Sequence, residues 1–234
     1  RVRNRRSTQW PQNSSGFVAA QTARRLTRGG NCLADDKSFD RLPGTYTEAI
    51  GIIKSLGPHM ESKLAINFEA SLQTLMKNDL SQFKVLHLAT HAYVPVSAPE
   101  AASVILSLVN ERGEKQPGYL GLAEIHQLKL NADLVTLSAC ETGIGKDVEG
   151  EGLVGLSRGF MYAGAPRVVA SLWKVEDVPT AKLMSGFYDS MFNGGRTAAA
   201  ALRKTQLEMY KSASSQQRRE PYYWAAFMFQ GDFH

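Results

Sequence analysis

Three short, almost wholly apolar runs constrain this chain more than any other feature. They are Val85-Leu86-His87-Leu88-Ala89, Leu134-Val135-Thr136-Leu137-Ser138 and Arg167–Leu172. Runs of this length without polar alternation are the pattern of strands buried on both faces of a sheet. Between and after them the apolar period lengthens to that of a helix. Leu153, Leu156 and Phe160 form one stripe, and Met184, Phe187, Tyr188 and Met191 form another, stopped by Asn193-Gly194-Gly195. Strands alternating with helices build a parallel sheet with helices on both faces. The expected fold class is therefore α/β: a three-layer α/β/α sandwich around a mainly parallel central sheet.

Weaker signals fill in the rest. Thr45 and Glu48 read as a capping box, followed by Ala49, Ile52, Ile53 and Leu56 at helical spacing and ended by Gly57-Pro58. Phe68, Leu72, Leu75 and Met76 mark a second helix, and Ala198, Leu202, Thr205 and Met209 a late one. Val104–Leu108 reads as a strand before a polar turn around Asn110–Gly113, and Leu122–Leu128 as a short amphipathic turn of helix. Tyr222–Gln230 reads as a last, aromatic-rich strand. Phe17–Leu26 stands out only weakly, as a short element of either kind.

Composition sets outer limits. With 234 residues, 43% hydrophobic and 21% charged, the chain can bury one full core, which excludes disorder and a disulfide-stapled mini-domain. Cys32 and Cys140 are too few for a disulfide framework, so a reducing, cytoplasmic setting is expected. No apolar run approaches the roughly 20 residues that span a bilayer, no signal peptide is visible, and no membrane partner is expected. The net charge of +5 is unevenly spread: residues 1–34 hold seven arginines and no acid, which leaves 20 basic against 22 acidic residues in the rest. Residues 1–40 are read as a basic linker or the remnant of an upstream module, and 41–234 as the folded domain. The chain opens on Arg1 rather than Met, which reads as a piece cut from something longer. A domain that reads nucleic acid carries its basic patch on the fold itself, so direct nucleic-acid binding is not expected.

In open parallel sheets, sites form beyond the carboxyl ends of the strands, which directs attention to residues 90–93, 139–152 and 173–178. Two of these stretches hold reactive side chains. His91 lies just past the first apolar run, and Cys140, 49 residues later, just past the second. An imidazole beside a thiol lowers its pKa and supplies a proton acceptor. His87 shares a strand face with Val85 and Ala89 and reads as a hydrogen-bonded residue that supports the site from behind or belongs to the core, rather than as the base. His59, His126 and His234 stand in no motif. No spacing of Cys, His or Asp fits a metal site, and the Gly-rich stretch after Cys140 lacks the Lys-Ser/Thr of a phosphate loop. No metal or cofactor is expected.

The strings around these residues resemble the CHAT domain, a caspase-like module named for its association with TPR repeats, related to separases, gingipains and caspases. Val85-Leu86-His87-Leu88-Ala89-Thr90-His91 and Leu137-Ser138-Ala139-Cys140-Glu141-Thr142-Gly143 carry the resemblance. Gly152–Arg158, Val169-Ala170-Ser171-Leu172-Trp173 and Pro221–Phe227 follow in order, and Leu42-Pro43-Gly44 with Glu48 resembles the usual start. Caspases likewise place their histidine about 50 residues before an Ala-Cys nucleophile. The resemblance runs from about residue 42 to 232 and leaves the head uncovered. It implies a caspase/hemoglobinase-like fold and a cysteine endopeptidase acting on a protein or peptide substrate.

The same resemblance gives His91 and Cys140 the part of catalytic dyad, and gives the backbone N–H groups of Cys140 and Ala92 that of oxyanion donors. Family members usually carry glycine at the place of Ala92. It also implies regulation by an upstream or partner module, such as TPR repeats or a larger complex. Glu141, Asp147, Trp173 and Asp177 are candidate substrate-binding residues, since a carboxylate in the pocket would select a basic residue. Each has a rival reading: Glu141 orients the cysteine loop or faces solvent, Trp173 belongs to the core, and Asp177 caps the helix of Val178-Pro179. The alternative for the whole domain is a catalytically silent CHAT fold that acts as a scaffold or signalling partner.

Overall fold

The computed structural model describes residues 15–20, 39, 42–56, 60–95, 98–141, 151–173 and 176–233. Among them runs an eight-stranded sheet: β1 (Gly16–Ala20), β2 (Ser62–Ile66), β3 (Val85–Tyr93), β4 (Ser103–Ile105), β5 (Tyr119–Gly121), β6 (Leu134–Glu141), β7 (Arg167–Ser171) and β8 (Phe227–Gly231). The spatial order is β2-β1-β3-β6-β7-β8, with β4 and β5 attached beside β3. The pairs β2/β1, β1/β3, β3/β6 and β6/β7 are parallel, whereas β8 and the β4–β5 ribbon run antiparallel.

Helices cover both faces. One layer contains α2 (Leu72–Lys77), α3 (Leu122–Ile125) and α4 (Glu151–Tyr162), which bury Leu75, Ile125, Leu156 and Phe160 against Leu86, Leu88, Val135 and Leu137. The opposite layer contains α1 (Pro43–Leu56), α5 (Asp177–Phe192) and α6 (Ala198–Lys211). It packs Ala49, Ile52, Met184, Phe187 and Leu202 on Val18, Val85, Ala89, Leu134 and Val169. Successive strand residues alternate between the two clusters, as a pleated backbone requires. The three-layer sandwich expected from the strand–helix alternation is the fold observed.

Several details correct the sequence reading. The sheet draws on residues ahead of the boundary placed at residue 40: Gly16–Ala20 lie between β2 and β3, with every residue buried. A five-residue strand of mostly small side chains, buried on both faces, shows no alternation. Position 45 is the third residue of α1 rather than its cap. The helix marked by Phe68 begins only at Leu72, where the Ser71 Oγ accepts the Thr74 N–H at 3.1 Å; Phe68 itself lies in a preceding 3₁₀ turn. The strand at 104 stops at Ile105. The aromatic run at 222 opens as the helical turn α7 (Pro221–Trp224), because Pro221 suits a first helical position, and the strand begins only at Phe227.

Candidate active site

Strand β3 is long enough to exchange neighbours along one edge. Its first half pairs with β1 through Ala89, and its last residues pair with β4, while β6 follows its other edge from Val85 to Ala92. In that ladder His91 is the Cα partner of Cys140. The two residues singled out from the sequence therefore stand side by side on adjacent strands, which are about 4.8 Å apart, at the carboxyl edge of the sheet. Position 140 has the parity of Leu134 and Thr136, and position 91 that of Val85 and Ala89, so both belong to the face covered by α1 and α5.

His91 is 7% exposed. The Phe39 ring lies over it with centroids 5.4 Å apart, and the same ring meets Tyr93 edge-on at 6.5 Å. Phe39 carried no signal in the sequence beyond being apolar. Two hydroxyls fix the backbone next to the pair: Thr90 Oγ1 donates to the Ile105 carbonyl of β4, and Ser171 Oγ donates to the Ala139 carbonyl at 2.5 Å. Each secures the residue directly before His91 or Cys140.

Deeper on the same face lies a second polar group. Glu48 Oε1 is 3.0 Å from His87 Nε2, His87 Nδ1 is 3.1 Å from the Tyr188 hydroxyl, and that hydroxyl donates to Thr136 Oγ1 at 2.9 Å. All four side chains are buried. Burial pushes the Tyr188 phenol well above its ordinary range, the bond to Thr136 opposes that shift, and the nearby Glu48 charge adds to it. His87 is thus the hydrogen-bonded core residue expected. Its carboxylate partner was visible only as half of a capping box.

The other candidates are spread more widely. Ala92 is buried and paired on both sides, with Val104 and with Glu141. Of Cys140 and Glu141 the structure describes the backbone, and Asp147 and Cys32 lie outside the described residues. Trp173 follows β7 at the same edge, packs against the core, and donates its indole N–H to the Tyr222 carbonyl at 3.4 Å. Asp177 is the first residue of α5, and Glu176 is the cap. The Asp177 carboxylate accepts the Gly44 N–H of α1 at 2.9 Å. A Cβ on Gly44 would lie 2.2 Å from the Asp177 Cβ, which is the physical reason for the glycine in Leu42-Pro43-Gly44. Asp177 therefore ties two helix starts together. Among the described residues no group of His, Cys, Asp and Glu is arranged to hold a metal ion, and no helix is long and apolar enough to cross a membrane.

A family model described as the CHAT domain matches residues 1–232. The chain belongs to the CHAT domain family. That match includes the basic head, which the resemblance traced in the sequence had left out. Tetratricopeptide repeat protein 28 of mouse is 33% identical to this CHAT domain over 108 residues, 46% of the chain and 4% of the relative. The human protein of that name gives 33% over 112 residues, again 4% of its length. The chain thus matches only a small part of these much longer relatives.

Solved structures share the fold at low identity. The Arg-specific cysteine proteinase gingipain R gives a TM-score of 0.56 at 11% identity, over 95% of this chain and 47% of that one. The Porphyromonas gingivalis RgpB complex of pro- and mature domains gives 0.55 at 12%, over 97% and 48%. Separase in the Saccharomyces cerevisiae separase–securin complex gives 0.52 at 17%, over 94% of this chain and 12% of that one.

Proposed function

We propose that this CHAT domain is a cysteine endopeptidase in which Cys140 is the nucleophile and His91 its proton donor and acceptor. The observation that carries this reading is the register pair His91–Cys140 at the carboxyl edge of adjacent parallel strands, in a fold of the caspase-like peptidase type. The Cys140 thiolate attacks the scissile carbonyl carbon, forming the C–S bond and a tetrahedral oxyanion. His91 protonates the leaving amine as the C–N bond breaks, and water then hydrolyses the thioester.

The backbone N–H groups of Cys140 and Ala92 are the proposed oxyanion donors. Strand N–H groups lie in the plane of the sheet and point at neighbouring strands, so Ala92, which stands between Val104 and Glu141, serves only if the ladder opens there. Glu141 and Asp147 follow the nucleophile and would favour a basic residue ahead of the cut, with Trp173 bounding the cleft. Asp177 is already committed to Gly44. The name of the mammalian relatives supports a TPR-containing context for regulation, and a thiol nucleophile suits a reducing cytoplasm.

The test is labelling of the full chain by an irreversible peptide electrophile, read by intact mass and peptide mapping, in wild type and in His91→Ala. The expected result is selective labelling of Cys140 over Cys32, slowed at least about 100-fold without His91. Equal labelling of both cysteines, unchanged by His91→Ala, replaces this reading with that of a catalytically silent interaction domain.

A further inference from the structure

We propose that His87 is a positioning residue for the His91–Cys140 pair, acting through the buried chain Glu48–His87–Tyr188–Thr136. The inference rests on the reading of that pair as the catalytic dyad. His87 and Thr136 are themselves Cα partners in the β3–β6 ladder, four residues before His91 and Cys140 on each strand and on the same face. The lower pair is therefore a foundation for the upper one, with Ala89 and Ser138 between them.

On this face of β3, apolar packing offers little to fix the register. The apolar side chains that β3 turns to this face, Val85 and Ala89, are small, and they share their cluster with the adaptable side chains Met184 and Met191. Polar contacts are far less forgiving. A slip of β3 by two residues keeps its faces but moves His87 about 6.6 Å, away from both Glu48 and the Tyr188 hydroxyl. Glu48 would then be left buried without the partner that makes its burial tolerable, and Tyr188 would keep only Thr136. The four side chains come from α1, β3, α5 and β6, so the chain also holds both strands against the helix layer. Thr90 and Ser171 then carry that placement to the residues adjoining the dyad.

The spacing of imidazole and thiol sets how strongly His91 promotes the Cys140 thiolate, so the readout is the pH profile of Cys140 alkylation by iodoacetamide. The measurement uses the full chain in a Cys32→Ser background. Tyr188→Phe removes one hydroxyl at nearly constant volume and cuts the link between His87 and Thr136. Thr136→Val removes the same link from the other end, should the first variant fold poorly. Leu202→Ala is the control, an apolar truncation in α6 of the same helix layer that lowers the melting temperature and lies outside the four-residue polar chain.

The expected result is that Tyr188→Phe slows alkylation at neutral pH by roughly tenfold and moves the profile toward that of His91→Ala, while Leu202→Ala keeps the wild-type profile. A Tyr188→Phe profile equal to wild type, where His91→Ala differs from both, overturns the positioning role and leaves the dyad standing. Equal profiles for wild type and His91→Ala overturn the dyad, and the positioning role with it.

Discussion

His87 and His91 lie on one strand, on one face, four residues apart, and their surroundings make them different residues. His87 is fully buried, with a carboxylate on one ring nitrogen and a phenol on the other. His91 stands where the sheet ends, beside Cys140 in the ladder and under the Phe39 ring. The first histidine is set in a hydrogen-bonded polar chain inside an apolar layer; the second stands at the carboxyl edge of the sheet. The contrast shows that the surroundings of a histidine are decided by what the tertiary structure places beside it, not by its place on the strand.

Glu48→Ala puts this contrast under the greatest strain. It leaves the buried His87 Nε2 without its acceptor and is expected to cost about 3 kcal/mol or more in urea unfolding. A loss below about 1 kcal/mol would mean that His87 is not held as described. Gly44→Ala attacks the frame that delivers Glu48, because the new Cβ collides with Asp177. The expected cost is about 2 kcal/mol by the same measurement. A smaller cost of Gly44→Ala in an Asp177→Gly background, where no Cβ remains at 177 to meet the new methyl, would sharpen the assignment to this one contact.

Tyr188→Phe is expected to cost about 1–2 kcal/mol at neutral pH, and its pH dependence gives a second check. The folded-state pKa of Tyr188 is raised above its ordinary value of 10.0. The stability it contributes is fully present below pH 10 and is lost as pH rises, because the unfolded chain ionises first. Wild type should therefore lose about 1.4 kcal/mol per pH unit above 10 that Tyr188→Phe does not lose. Parallel curves for the two proteins would argue that the phenol is not buried in this chain. The smallest effect on stability belongs to His91→Ala, about 1 kcal/mol or less, since this side chain lies at the end of the sheet and outside the buried polar chain. A loss as large as that of Glu48→Ala would place both histidines in the same structural class.

Much of this arrangement was legible beforehand, for reasons that differ by element. Strands β3, β6 and β7 are apolar runs flanked by polar residues, so the sheet centre could be read directly. The ends of two of those runs gave His91 and Cys140. Strand β1 was not legible because Gly16-Phe17-Val18-Ala19-Ala20 is short and rich in small side chains. Strand β2 is an edge that starts with exposed Ser62 and Lys63 and offers little periodicity. Glu48 was legible as a helix residue but not as the partner of His87, because its spacing from Thr45 fits a capping box equally well. Asp177 looked like a helix cap or a pocket acid, and its acceptor role toward Gly44 spans 133 positions of sequence.

The sequence by itself determined the layers of this CHAT domain, because hydrophobic period fixes strand, helix and buried face within a few neighbours. It also determined the residue types that can do thiol chemistry. Only the tertiary structure decided that His91 is the register partner of Cys140, and that Glu48 and Tyr188 enclose His87. Those pairings join residues far apart in the chain, and they depend on strand order and register, which no local pattern encodes.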